Sequence, residues 1–185
     1  YDKVIDANIS EVDYAMLRKG ICLGVLSRYK EKEVVLKELM SRYKSSSYYD
    51  DAIYELAETY NITNNYDNAI KYYQMLIDNH RNSNYYKSSL LKLGLLLFNQ
   101  EKYSYALKMF KQIVSEYPGT EVSKEALLAI KNIYVEIDSV ENFFVYVKTL
   151  PFESGITNSE EDSLRYVSIE NKYMEGVSCE VLVEE

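Results

Sequence analysis

The residues that could do chemistry in this chain are few. His80 is the single histidine among 185 residues, and no cysteine or second histidine lies near it in the sequence. Because a metal site draws on several histidine, cysteine or carboxylate ligands, we predict that the chain holds no metal ion and no cofactor. A nucleophilic catalytic triad is not expected for the same reason, unless another chain supplies the base. We therefore predict that this protein is not an enzyme.

Two cysteines and one acidic run have structural explanations. Cys22 and Cys179 lie far apart in the chain, so we expect no disulfide between them and expect each to pack as a small apolar core residue. The acidic run at 160–162 fits the first turn of a helix capped by Asn158 and Ser159. A calcium loop would need alternating oxygen ligands and a glycine.

Composition excludes two classes of partner and favours one class of fold. The net charge is −8, whereas a protein that binds nucleic acid needs a basic stripe. No apolar run approaches the roughly 20 residues of a membrane span, so we predict no membrane insertion. With 2 prolines and 6 glycines, the chain is expected to be mostly helical.

The stretch from Lys87 to Pro118 has the pattern of two helices that fold back on each other. Apolar residues recur at helical spacing on both sides of a polar break at 99–102. Gly94 lies inside the first helix, where glycine costs about 1 kcal/mol relative to alanine. We therefore expect Gly94 to permit a close approach of the second helix near Ala106. Pro118 ends the unit because proline cannot continue a helix.

This helix pair recurs along the chain with a period of 37 residues. One column of equivalent positions holds Gly20, Ala57, Gly94 and Lys131, and a second holds Leu36, Tyr73, Phe110 and Val147. We place repeats at 11–47, 48–84, 85–121 and 122–158, with a partial repeat at 159–185 and the end of a preceding one at 1–10. We predict one domain over 1–185 and interpret it as a fragment of a longer protein, since both ends cut through a repeat.

These columns resemble the tetratricopeptide repeat, whose signature is W-x2-L-G-x2-Y, then A-x3-F, then P. The third repeat matches it at Leu90, Leu93, Gly94, Leu97, Ala106, Phe110 and Pro118, and the second at Ile53, Leu56, Ala57, Tyr60, Ala69 and Tyr73. The outer repeats depart from it, with Lys32 and Phe143 in the slot for a small second-helix residue.

The resemblance implies an all-α fold, a right-handed α-solenoid or superhelix of stacked antiparallel helix pairs. About four full repeats with partial repeats at both ends are expected. A period of 37 residues, against 34 for the usual repeat, is similar to that of tetratricopeptide proteins of the bacterial envelope. The resemblance thus favours the bacterial periplasm or cell envelope, with the cytoplasm as the alternative.

In this family the first helix of each repeat lines a concave groove. The positions that the resemblance places in the groove are Tyr14, Leu17, Ile21, Tyr54, Glu58, Asn61, Leu91, Leu95, Phe98, Leu128, Asn132 and Val135. Three of them are apolar residues of one helix that the core stripe does not need, namely Leu91, Leu95 and Phe98, and exposed apolar patches mark interaction sites. The opposing interpretation is that other parts of the array cover these three residues.

Two classes of function follow from this pattern. The first is a non-catalytic scaffold that binds a peptide or a partner protein in the groove through apolar anchors. The alternative is a structural or assembly spacer that forms a homo-oligomer through its uncapped ends or its apolar helices. Peptide binding that is insensitive to salt would favour the scaffold, and association without a ligand would favour the spacer.

Overall fold

The computed structural model describes residues 1–3, 11–152 and 157–174, and within these ranges the chain contains nine α-helices and no strand. The helices are α1 Val12–Val25, α2 Tyr29–Arg42, α3 Tyr49–Ile62, α4 Tyr66–Asn79, α5 Tyr86–Asn99, α6 Tyr103–Glu116, α7 Glu121–Glu136, α8 Val140–Val147 and α9 Asn158–Met174. Residues 4–10 and 175–185 of the predicted partial repeats lie outside the described residues, as does Cys179.

The helix ends follow the period of the sequence. The odd-numbered helices α1, α3, α5 and α7 end at Val25, Ile62, Asn99 and Glu136, and the even-numbered helices α2, α4, α6 and α8 begin at Tyr29, Tyr66, Tyr103 and Val140. Both series advance by 37 residues at each step. We call the odd members of these pairs first helices and the even members second helices.

The turn inside each pair is built in the same way four times. A residue with a left-handed backbone follows each first helix, at Ser27, Asn64, Glu101 and Asp138, with φ of 57°, 57°, 57° and 48°. In the first turn, the N–H of Arg28 donates to the carbonyl of Leu23 at 2.8 Å, and the N–H of Ser27 to that of Gly24 at 2.9 Å. These two bonds define a Schellman motif, and their equivalents close the other three turns.

The chain forms two compact units, Tyr1–Leu96 and Leu97–Glu185. In the first unit, α1 contacts α2, α2 contacts α3, α3 contacts α4, and α1 also contacts α3. In the second unit, α6 contacts α7, α7 contacts α8, and α8 contacts α9. Helices that contact their neighbours in chain order are the packing of an all-α solenoid, which confirms that part of the predicted fold class.

The column of bulky residues supplies the centre of the core. Leu36, Tyr73 and Phe110 are each 0% exposed, whereas Val147 at the end of α8 is half-buried. The fourth repeat departs because α8 has 8 residues where the other second helices have 14. Phe143 occupies the small slot there and is buried, with its ring centroid 6.3 Å from that of Tyr134.

Gly20 allows close packing of the first helix pair. A Cβ added to Gly20 would lie 2.7 Å from Cδ2 of Leu36, which is closer than real Cβ contacts come. In this repeat, the glycine on the first helix therefore leaves room for Leu36 on the second helix. Gly24, one turn later, is the glycine that faces Lys32, with an added Cβ 3.1 Å from Nζ.

We expect Gly20→Val to lower the free energy of unfolding by about 1–3 kcal/mol, because overpacking of this size costs that much in a filled core. Cys22→Val introduces the same side chain two residues later on α1, at an exposed position, and should change stability by less than about 0.5 kcal/mol. Urea denaturation of both variants measures the difference. Equal stabilities would contradict the α1–α2 packing described above.

Two local predictions are wrong. Cys22 is exposed rather than part of the core. The cap of α9 is Thr157 rather than Asn158 and Ser159, because the N–H of Glu160 donates to Thr157 Oγ1 at 3.3 Å and the N–H of Thr157 donates to Glu160 Oε2 at 3.1 Å. This reciprocal pair is a capping box, and the acidic residues do occupy the first turn as predicted.

Candidate interaction surface

The predicted groove residues differ in how much surface they offer. Tyr14, Leu95 and Leu128 are 38%, 37% and 52% exposed. Asn132 is also exposed, and seven more are half-buried, namely Ile21, Tyr54, Glu58, Asn61, Leu91, Phe98 and Val135. The exception is Leu17, which is 4% exposed and offers no surface to a partner.

The prediction for Leu17 is corrected by the width of the buried stripe on α1. The buried residues of this helix include both Met16 and Leu17, two adjacent positions. A stripe that includes neighbours in the sequence is wider than the repeat signature predicts, so a position one step from the core is still covered. Leu17 therefore belongs to the core of the first unit.

The richest part of the surface lies on α3. Asp51 lies three and four residues before Tyr54 and Glu55, and Glu58 lies four and three residues after them, which places all four along one side of the helix. Together with Tyr73 on α4 and Tyr85 before α5, they form what we call the tyrosine–carboxylate cluster. The groove positions predicted from the sequence include Tyr54 and Glu58. Glu55, Tyr73 and Tyr85 were not predicted, because they reach this face from outside the groove register.

The tyrosines of the cluster are held in place by stacking and hydrogen bonds. The rings of Tyr54 and Tyr85 are stacked, with centroids 4.5 Å apart and planes at 19°. The hydroxyl of Tyr85 donates to Asp51 Oδ1 at 2.9 Å, and the hydroxyl of Tyr73 donates to Glu58 Oε1. Tyr73 also meets the ring of Tyr54 edge-on, with centroids 6.2 Å apart.

Two lysines reach the cluster from neighbouring helices. Lys32 Nζ on α2 lies 2.5 Å from Glu55 Oε2, and Lys92 Nζ on α5 lies 3.4 Å from Glu58 Oε2. Lys32 is buried, and a buried ammonium group is tolerated only when it is paired. The first repeat departs from the signature by having Lys32 where a small residue is usual. This lysine is explained by its ion pair with Glu55 in the next helix pair.

The pKa values of the three tyrosines in the cluster are raised, which keeps their hydroxyl groups protonated. Burial, followed by the nearby charges of Glu58 and Glu55, raises the pKa of Tyr54 to about 12. Burial and the hydrogen bond to Asp51 raise the pKa of Tyr85 to about 12, and burial with the Glu58 bond raises the pKa of Tyr73 further. All three phenols are therefore neutral near pH 7.

The predicted positions in the second unit are less connected. Leu128, Asn132 and Val135 follow one face of α7, and Leu128 is the most exposed of the predicted apolar residues. The ring of Phe98 packs against Tyr103, with centroids 5.8 Å apart. This part of the surface is apolar with one amide, so it offers contact area rather than specific polar bonds.

His80 has a structural role at the end of α4. Its Nδ1 lies 2.7 Å from Asp50 Oδ1, and its ring is 5.7 Å from that of Tyr49. Within the described ranges, no group of three or more histidine, cysteine or acidic residues is arranged to hold a metal ion. None of the helices described is both long enough and apolar enough to span a membrane.

A comparison with protein families matches the chain to the tetratricopeptide repeat at residues 51–83 and 88–120. The two matched segments begin 37 residues apart, in register with the helices. No curated protein matches the chain.

Solved structures with the same fold cover most of the chain. A crystal structure of MamA shares 18% sequence identity, with a TM-score of 0.64 over 95% of this chain and 87% of that one. The structure of Naa15/Naa10 bound to HypK-THB shares 16% identity, with a TM-score of 0.64 over 95% of this chain and 25% of that one. A tetratricopeptide repeat protein from Parabacteroides merdae shares 15% identity, with a TM-score of 0.58 over 91% of this chain.

The chain spans 60% of the length of the Parabacteroides merdae protein. At these identities the likeness concerns the fold alone. Two family matches in register, helix pairs that repeat every 37 residues, and neighbours with the same fold lead to one conclusion. The chain is built on tetratricopeptide repeats, matched at residues 51–83 and 88–120, in an all-α fold that it shares with these structures.

Proposed function

We propose that the chain is a non-catalytic scaffold that binds a peptide or a helix of a partner protein along the first helices of its first unit. We call this surface the first-helix face and define it by Tyr14, Ile21, Tyr54, Glu58, Asn61, Leu91 and Leu95. The observation that carries the proposal is the exposure of Tyr14 and Leu95 on the same series of first helices that holds a polar cluster that is already ordered. Ordered polar groups next to apolar anchors are the usual composition of a recognition surface.

The proposal predicts that Leu91 and Leu95 contribute to binding more than to folding. Twelve-residue peptides selected from a random phage-displayed library on the wild-type protein supply the ligands. Leu91→Gln/Leu95→Gln should weaken these peptides at least about tenfold, since an apolar anchor contributes more than 1 kcal/mol to binding. Stability should fall by less than about 2 kcal/mol, because neither side chain is fully buried.

Val34→Gln is the matched control, because Val34 is an apolar residue, 66% exposed, on the second helix α2. Its peptide affinity should equal that of the wild type. Thermal melts followed by circular dichroism separate the outcomes. Unfolding of the Leu91→Gln/Leu95→Gln variant would show that these residues belong to the core and would overturn the proposal.

One observation favours the spacer as a second candidate. On α9, Tyr166, Tyr173 and Met174 are 67%, 59% and 79% exposed, and exposed apolar side chains on one helix can support self-association. Sedimentation equilibrium of the free protein tests this candidate. A mass that rises with concentration and returns to that of a monomer in Tyr166→Gln/Tyr173→Gln would favour the spacer.

A further inference from the structure

We infer that the partner segment carries a basic side chain, arginine or lysine, that docks against Tyr54, Tyr85 and Asp51. The inference rests on the proposed function, because it names the chemistry that the first-helix face selects. It commits the surface to one class of occupant, a peptide segment in which a cationic residue lies next to apolar ones.

The stacked tyrosines provide an aromatic platform beside a carboxylate. Tyr54 and Tyr85 stack at 4.5 Å, and the Tyr85 hydroxyl fixes Asp51 Oδ1 at 2.9 Å. A cation is attracted to the face of a tyrosine ring within about 6 Å. A guanidinium group can lie flat on such a ring while its N–H groups bond a carboxylate, and an ammonium group can bridge the same two partners.

The charge balance of the cluster also favours a cation. Asp51, Glu55 and Glu58 bring three carboxylates, and among the described residues the ammonium groups paired with them are those of Lys32 and Lys92. The Tyr85 hydroxyl that bonds Asp51 is a neutral donor, so it orients this carboxylate without cancelling its charge. One negative charge is left for a ligand to neutralise.

An anionic partner is disfavoured at the same place. An acidic side chain beside Asp51 would meet a like charge, on a chain whose net charge is −8. The feature is also local to the second repeat. The residues equivalent to Tyr54 in the other three repeats are Leu17, Leu91 and Leu128, so these repeats have no tyrosine at this position.

The same library selection tests this inference through the composition of the selected peptides. We expect arginine and lysine to be enriched at one position in peptides selected on the wild-type protein. Asp51→Asn should weaken these peptides about five- to tenfold, as expected for the loss of one charged partner. Asparagine keeps an oxygen that can accept the Tyr85 hydroxyl, so the fold should be retained. Asp67→Asn, at an exposed position on α4, removes the same charge away from the face and should leave the affinity unchanged.

A peptide in which citrulline replaces the basic residue completes a double-mutant cycle with Asp51→Asn. The inference requires that Asp51→Asn has a smaller effect on the citrulline peptide than on the arginine peptide. Equal effects would overturn it. Selected peptides that lack a basic residue would overturn the inference and leave the scaffold function intact, whereas failure to select any peptide would overturn both.

Tyr54→Leu is a second variant that keeps the test valid if Asp51→Asn does not fold. Leucine occupies the equivalent position in the other three repeats, so the fold should accept it. We expect Tyr54→Leu to weaken the arginine peptide more than the citrulline peptide. The opposite order would contradict the cationic site.

Discussion

Phe110→Ala is expected to lower the free energy of unfolding by about 3–5 kcal/mol, the usual cost of removing a buried phenylalanine side chain. Phe110 lies on α6 and is 0% exposed. The residues of the bulky column in the first two repeats, Leu36 and Tyr73, are equally buried. The cost has two parts. The favourable free energy of burying the ring is lost, and a cavity is left in the packed core. Chemical denaturation monitored by circular dichroism measures it.

Val147→Ala is the control, at the equivalent position of the fourth repeat. Val147 is half-buried at the end of a short helix, so its truncation should cost about 1 kcal/mol or less. A Phe110→Ala effect as small as that of Val147→Ala would show that the bulky column does not form the core. The repeat register would then be wrong.

Alkaline pH is expected to destabilise the first unit through Tyr54 and Tyr85. The pKa of each phenol is about 12 in the folded protein, against about 10 in an unfolded chain. Between these values the unfolded chain releases protons that the folded protein keeps. The stabilising contribution is therefore complete below pH 10 and is lost as the pH rises through 12.

For each phenol, the free energy of unfolding is expected to fall by about 1.4 kcal/mol per pH unit in this range. Because both rings are partly exposed to solvent, we expect about 1–2 kcal/mol per unit for the pair. Urea titrations at pH 8, 9, 10 and 11 measure the slope, and Tyr54→Phe/Tyr85→Phe should reduce it by that amount. The slope from the other ionisable groups is common to both proteins. An unchanged slope in the double variant would contradict the placement of these tyrosines.

The sequence predicts the helix pairs well because their signals are local and repeated. Helical periodicity and a polar break define each helix pair, and four copies in one register reinforce each other. The left-handed turns at Asn64 and Asp138 agree with the preference of these residue types. Ser27 and Glu101 take the same conformation without that preference, so only the period points to them.

The cluster could not be predicted in full because its contacts join distant positions. Lys32 pairs with Glu55 across 23 residues, and Tyr85 bonds Asp51 across 34. Neither pair follows from the spacing within one helix, since each depends on how one helix pair meets the next. Leu17 shows the same limit, because the width of a buried stripe depends on the neighbouring helices. The location in the bacterial envelope and the single domain over 1–185 stay predictions.

The most direct test of the proposed function is an NMR map of a selected peptide on the isotope-labelled protein. We predict chemical-shift changes at the backbone amides of α1, α3 and the start of α5, centred on Tyr54 and Leu95. Changes confined to the second helices α2 and α4, or to α9, would contradict binding at the first-helix face. A spectrum that changes with protein concentration but not with peptide would support the spacer instead.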